Sequence, residues 1–532
     1  MAGAIFSGAS AASAAQKTWD MTTGTWNTTA LDWLVAGTTT PTVAFTSGDD
    51  AVFSNASTYS ALTLGQSLSA GNFDSNGAAT PTTTTITGAA GFTLTLGTGT
   101  AGSGNISDVA GTGTSYAQNL TYTLSGTGSA FNLAAGSGTT AAPTIWNIAS
   151  GKTFTVSAAT TGQASDLGSN LVNITGAGTV DLTSGLTVSN GTFNVSNGYM
   201  EFAGGGSHNT TINSSVTVNV LSGGTEQLQA NSGTGSTFGE VTNLMGGSLF
   251  FGGGGTTTAA TVNVVGGTNS TIYTNYTSTG VPLEQIGSLS GSGNVTFKNN
   301  NGTPTIIALS GSNTGYSGNT NISSGIVQAN GSVDALGTGN VSLIGGVLAG
   351  TGSTGPSTST INVSGGKITA GTGATTADTA GTLNTGGQAW NSSGTYVAKY
   401  DATGKVDLLI MTGLTVASSG FVINFQTFNG SSAGVPANTY ELAEDTESGS
   451  ANPFNASGSM PALGELTLKV NGLAAPAGYT LSTAVDTTDA GGGFALTLVV
   501  ATPEPTSLLL AAVAAAPLAM GRRRRRASAA AV

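Results

Sequence analysis

Apolar and polar residues alternate along most of this chain in short runs that stop at Gly, Asn or Ser. The runs "GFTLTLGTG" (Gly91–Gly99), "GLTVSNGTFNVSNG" (Gly185–Gly198) and "ATVNVVGG" (Ala260–Gly267) show the pattern. A period of two with β-branched residues is the signature of a half-buried strand, and Asn-Gly and Gly-Gly pairs mark turns. Strands of four to six residues are expected to recur through Val499. Helical periodicity is almost absent before the C-terminal tail, so the pattern predicts an all-β fold.

Many short strands build either antiparallel sandwiches or β-solenoids. Loose self-similarity favours the solenoid. "GTVDLTSGLTVSNGTFNVSNG" (178–198), "GNVSLIGGVLAGTG" (339–352) and "STINVSGGKITAGTG" (359–373) share one form: strand, Gly-containing turn, strand. Each coil of a solenoid buries its inward side chains against neighbouring coils. Asn at stacked corners is suited to hydrogen-bonded ladders.

Composition supports a folded chain of unusual surface. The 532 residues include 83 glycines, and 7% are charged, against about 25% in ordinary globular chains. Net charge is −12. All five arginines stand at 522–526, and the body holds seven lysines as its only strong bases. Such a body offers nothing to a phosphate backbone, so nucleic acid is not an expected partner. Cysteine is absent, which excludes thiolate nucleophiles and Cys-ligated zinc and suits an exported protein.

One segment carries a family pattern. In Leu289–Gly350, Leu309, Gly311, Asn313, Tyr316, Gly318, Ile326, Gln328, Ala335, Leu336, Gly337 and Gly339 follow the order Leu-x-Gly-x-Asn-x-Tyr-x-Gly, strand, Ala-Leu-Gly-x-Gly, with Gly315 inserted before the tyrosine. This resembles the autotransporter-associated β-strand repeat over about 60 residues. The resemblance implies a right-handed parallel β-helix, as in secreted passenger proteins. "TWDMTTGTWNTTALDW", with Trp19, Trp26 and Trp33, followed by "SGDDAVFSN" (Ser47–Asn55), looks like the opening of the same family. The three tryptophans are expected to cap the exposed end of the first coil; stacking on sugar rings is the other use for such residues. "GTYVAKYDATGKVDLLIMTGLTV" (394–416) resembles the terminal coils.

The tail is different. Pro503, Glu504 and Pro505 precede an apolar run, 507–521, and then Arg522, Arg523, Arg524, Arg525 and Arg526. The run is shorter than the roughly 20 residues of a bilayer span. A short apolar helix followed by arginines nevertheless fits insertion with the positive end in the cytoplasm. The whole resembles the PEP-CTERM sorting signal, although six residues, Ala527–Val532, follow the arginines. That resemblance implies an exosortase-type processing enzyme and transient contact with the inner membrane, in Gram-negative bacteria that make exopolysaccharide. A generic tail anchor is the other reading. At the opposite end, residues 1–15 contain Ala12-Ser13-Ala14, an A-x-A-like cleavage site without a basic n-region; they read as the remnant of a signal peptide or as a plain tail.

The expected organisation is therefore a signal-like segment (1–15), a Trp-rich cap (16–60), β-helix repeats (61–420), terminal coils (421–500) and a sorting segment (501–532). Candidate acids are Asp49 with Asp50, expected in a turn, and Glu441, Glu444, Asp445 and Glu447, expected on a solvated loop. His208 is the sole histidine and cannot build a His-based metal site. "GSSAG" (430–434) matches a nucleophile-elbow form, but His208 precedes it, against the order of that class. No catalytic, cofactor or metal site is expected. The chain reads as a structural or adhesin-like surface protein, with binding or processing of exopolysaccharide as the alternative. A solvent-facing row of aromatics and acids would favour the alternative; with 11 Tyr and 18 Phe scattered through the sequence, no such row is expected.

Overall fold

The computed structural model describes residues 15–501, apart from 20–22, 36–39, 54–58, 76–82, 109–115, 117–118, 126–128, 159–162, 184, 204–209, 231–234, 254, 276–282, 303–304, 372–379, 417–418, 428–434, 447–462, 464–465 and 486–492. The described residues are all-β and contain no α-helix. The expected C-terminal helix, 507–521, lies outside them.

Strands stack parallel and in register into long sheets. One sheet has 16 strands, running from Thr23–Trp26 to Leu414–Val416. A second has 20 strands, and a third, of six, runs from Leu68–Ala70 to Thr211–Ile212. Through Thr211–Ile212 the chain visits all three sheets in turn, as in Asn119–Leu124, Ala130–Leu133 and Thr144–Trp146, and then returns to the 16-stranded sheet at Thr153–Ala158. From Val216 to Ile368 successive strands alternate between the two large sheets. This is the winding of a solenoid, each strand pairing with its counterpart in the next coil.

The alternation read from the sequence becomes inside and outside. Thr83–Gly88, Asn119–Leu124 and Thr153–Ala158 each alternate half-buried and buried positions. On the 16-stranded sheet one inward column runs Leu120, Phe154, Val180, Met200, Glu226, Leu249, Ile272, Phe297, Ile322, Leu343, Val363, Trp390 and Val416. It is apolar except at Glu226. Burying such a side chain contributes about 1.5–3 kcal/mol relative to exposure.

The residues of the repeat pattern hold neighbouring coils together. Asn313 is buried; its Oδ1 accepts the Leu289 N–H at 2.7 Å, and its Nδ2 donates to the Ala335 carbonyl at 2.6 Å. One side chain thus bridges the coil before and the coil after. The buried Tyr316 hydroxyl donates to the Asn319 carbonyl at 2.9 Å. Gly318 and Gly339 are required by close approach: a Cβ on Gly318 would strike the carbonyl oxygen of Gly293, and one on Gly339 that of Gly318.

Asparagine ladders form along the coils. Asn194, Asn219, Asn243 and Asn263 each donate from Nδ2 to the Oδ1 of the preceding rung, starting at Asn173, over 2.8–3.0 Å. The rungs are half-buried strand positions on the 20-stranded sheet, not corners. A second set does sit at a corner: Asn294 donates to Asn269 at 2.9 Å, and Oδ1 of Asn294, Asn319 and Asn340 accepts the backbone N–H of the next coil.

Both ends depart from parallel stacking. Gln16–Trp19 pairs parallel with Asp50–Phe53 but antiparallel with Trp33–Val35. Towards the C-terminus, Asn438–Asp445 and Tyr479–Val485 flank Phe494–Val500, both antiparallel to it.

Candidate binding face

The tail residues Pro503, Glu504, Pro505 and Arg522–Arg526, along with His208, Glu447 and "GSSAG", lie outside the described residues. Among the described residues no helix is long and apolar enough to cross a membrane, and no three His, Cys, Asp or Glu side chains gather as a metal site.

Trp19, Trp26 and Trp33 are fully buried. Trp33 lies 5.2 Å from Trp19, 5.3 Å from Trp26 and 4.8 Å from Phe45, centroid to centroid. Rings with no exposed surface offer no face to a sugar; these three form an aromatic end-core with Phe45, Phe53 and Phe73.

Asp49 closes a turn with Thr46, whereas Asp50 opens the strand Asp50–Phe53, so the expected turn holds for Asp49 alone; both are buried. Asp49 Oδ2 accepts the Thr46 N–H at 2.9 Å, and Asp50 Oδ1 accepts from Asn72 Nδ2 at 2.9 Å. Burial pushes the Asp50 carboxyl up to about 6. Glu441, Glu444 and Asp445 correct the expectation of a solvated loop: they stand on the strand Asn438–Asp445, with Glu444 and Asp445 buried. The Ser/Gly-rich flank hid a strand whose pairing partner, Phe494–Val500, is distant in sequence.

The larger correction concerns the surface. Stacking does assemble a row of acids and aromatics. On the outward side of the 16-stranded sheet, Asp181, Glu201, Gln227, Phe250, Tyr273 and Lys298 stand in register on six successive strands. All six are half-buried. Tyr199, 40% exposed, borders the row from the same strand as Glu201. Gln227 Nε2 donates to Glu201 Oε1 at 2.8 Å and to Gln229 Oε1 at 2.9 Å. Phe250 and Tyr273 stack at 4.8 Å with an interplanar angle of 8°. Lys298 Nζ lies 5.3 Å from the Tyr273 ring centroid, a cation–π contact.

The row is polarised. At one end burial, and then the neighbouring Glu201 charge, push Asp181 up to about 7; burial also raises Glu201. Asp181 Oδ1 has no hydrogen-bond partner. At the other end stands a single cation. The row runs across six strands on the outward side of the sheet, with its side chains half-buried.

A second group of acids points inward. Glu226 and Glu240 are buried in the solenoid interior, and Thr242 Oγ1 donates to Glu226 Oε2 at 2.7 Å. Glu226 Oε1 and both Glu240 carboxyl oxygens lack partners. Burial raises both carboxyls, Glu240 to about 8, and the Glu240 charge raises Glu226 further. Glu284 Oε2 accepts the Thr257 N–H at 3.0 Å, and burial pushes this carboxyl to about 8. Acids at alternating inward positions are visible in the sequence only if the strand and its parity are already known.

No protein-family model matches this chain, and no curated protein matches it.

Proposed function

We propose that this chain is an exported, non-enzymatic right-handed β-helix protein of a bacterial cell envelope or extracellular matrix, acting as a structural or adhesin-like rod. The unbroken in-register stack of 16 parallel strands carries this reading. Such a stack spreads its stability over nearest-neighbour contacts and displays flat faces, which suits a rod and its lateral contacts. The likeness of Leu289–Gly350 to autotransporter-associated repeats supports export. The PEP-CTERM-like tail supplies an address: Pro503, Glu504 and Pro505 for an exosortase-type enzyme, the apolar run for transient residence in the inner membrane, and Arg522–Arg526 for orientation.

The intact mass and terminal peptides of the protein purified from its native host test this. Loss of the chain near and beyond Pro503–Pro505 is the expected result. An intact arginine tail on soluble cytoplasmic protein would overturn the export reading.

The row from Asp181 to Lys298 favours a second reading, binding of exopolysaccharide along one face. Carboxylate and amide groups beside aromatic edges are suited to sugar hydroxyls. Retention on exopolysaccharide that is lost in Gln227→Ala is the expected sign.

A further inference from the structure

The outward row that ends in acids on one side and in a lysine on the other matches itself when reversed. We propose that this face is a self-association surface, on which two copies of the chain pack antiparallel about a two-fold axis lying across the row.

The geometry follows from the register. Asp181 and Lys298 are five strand spacings apart, about 24 Å. That is far beyond any contact within one molecule, and among the described residues Lys298 pairs with no carboxylate but rests on Tyr273. Place a second row face to face and antiparallel. Asp181 then meets Lys298 of the other copy, Glu201 meets Tyr273, and Gln227 meets Phe250. Each contact occurs twice, as an isologous interface requires. Parallel packing would instead set acid on acid and lysine on lysine, which is repulsive. The charge pattern therefore selects one orientation.

The environment of the acids agrees with this. Asp181 stands in register beside the like charge of Glu201, a repulsion that an approaching ammonium group relieves. Phe250 stands with Gln227 at the centre of the patch, where contacts are driest, and its stacked partner Tyr273 lies on its lysine side.

Size sets the strength. Six strands by about five residues give a patch of about 24 Å by 17 Å, or roughly 400 Å² per partner. That falls in the range of transient contacts and below that of stable dimers. One patch gives a weak, salt-sensitive dimer; many rods held at high local density gain by avidity. The inference rests on the stacked coils alone and not on export, so it survives if the tail proves not to be processed.

The test uses two single variants of the full chain, Asp181→Lys and Lys298→Glu, each first shown by circular dichroism to keep the wild-type β spectrum and melting transition. Sedimentation velocity over about 1–300 μM is run at low salt, where weak association is measurable. The wild type is expected to dimerise with rising concentration. Each variant alone places like charges together in the antiparallel dimer and is expected to weaken pairing by about tenfold or more. An equimolar mixture restores both pairings, lysine at 181 facing glutamate at 298 and Asp181 facing Lys298, so mixed dimers should form at near wild-type strength. Should Asp181→Lys fail to fold, Lys298→Glu still supplies the loss, and rescue is read by mixing it with Asp181→Asn, which faces glutamate at 298 without charge repulsion while its own Lys298 faces Asp181. A wild type that stays monomeric to about 300 μM, or variants that dimerise as well as it does, overturns the proposal. So does a monomer that binds exopolysaccharide through these residues, which would give the face to the second reading above. Loss of the β spectrum in the wild type would instead remove the coils themselves.

Discussion

Two glutamates define what is unusual at the residue scale. Glu226 interrupts an otherwise apolar inward column, and Glu240, 1% exposed, leaves both carboxyl oxygens unpartnered beside it. Two charges there would each lack solvation, so the folded chain holds protons on them. The sign of the pH effect follows. Glu240 has an ordinary value near 4.5 and a folded value of about 8. Above 4.5 the unfolded chain releases its proton while the folded chain still binds one. Stability therefore falls as pH rises from about 4.5 to about 8 and levels off beyond. Glu284, also held at about 8, adds in the same direction. Asp401 opposes it only at low pH. Burial works to raise that carboxyl, but hydrogen bonds from Thr403, Ala380 and Lys405 outweigh it and hold it at about 2. Its contribution is thus present above about 4 and is lost only as pH falls towards 2. Denaturant unfolding should accordingly give a higher midpoint at pH 5 than at pH 8.5. In Glu240→Gln the difference in unfolding free energy between the two pH values should shrink by on the order of a few kcal/mol. An unchanged pH dependence in the variant would show that Glu240 does not carry the proton.

Single strands are held to their neighbours by two devices, each with its own prediction. Asn219 donates to Asn194 and accepts from Asn243, so Asn219→Ala removes two ladder bonds at once. At about 0.5–1.5 kcal/mol per bond, amide exchange should quicken in Gly191–Val195, Val216–Leu221 and Ser236–Met245, with little change at Thr83–Gly88. Gly318→Ala acts through sterics. Its Cβ has no room against the Gly293 carbonyl, so adjacent coils must part, at about 1–3 kcal/mol or more. Melting of the variant against Ser317→Ala, a neighbouring control, checks this. These elements were legible to different degrees. "GFTLTLGTG" contains the strand Thr93–Leu96 and "GLTVSNGTFNVSNG" the strands Leu186–Val188 and Gly191–Val195, because period-two alternation is local. The partner of each strand is not local. Coils differ in length, so Asp181, Glu201, Gln227, Phe250, Tyr273 and Lys298 follow no fixed interval, and the row they form escaped the sequence reading. The strand that holds Glu444 and Asp445 escaped for the same reason: Phe494–Val500, which pairs with it, arrives from far along the chain.

Over the whole molecule, stability is a chain of nearest-neighbour terms, and this makes the ends decisive. Each coil contacts the coils on either side, so a solenoid unfolds by fraying from a weakened end rather than by uniform loss. The N-terminal end is closed by the antiparallel strand Trp33–Val35 and by six packed aromatics. Trp26 touches four of them, with centroids 5.0–6.3 Å away at Trp33, Phe45, Phe53 and Phe73. Trp26→Ala removes the centre of that core, a loss of about 3–5 kcal/mol. In a compact two-state domain the loss would lower protection everywhere. Here it should open the first coils and stop. Exchange should accelerate in Thr23–Trp26, Asp50–Phe53 and Phe73–Ser75, and protection should recover with each coil towards Val216–Leu221 and Leu283–Gly291. The matching substitution near the other end, Trp390→Ala, removes the ring stacked on Phe421 at 4.3 Å and should produce the mirror-image profile. Uniform loss of protection in both variants would show that the coils unfold as one unit, and the stability of the rod would then have to come from couplings longer than one coil.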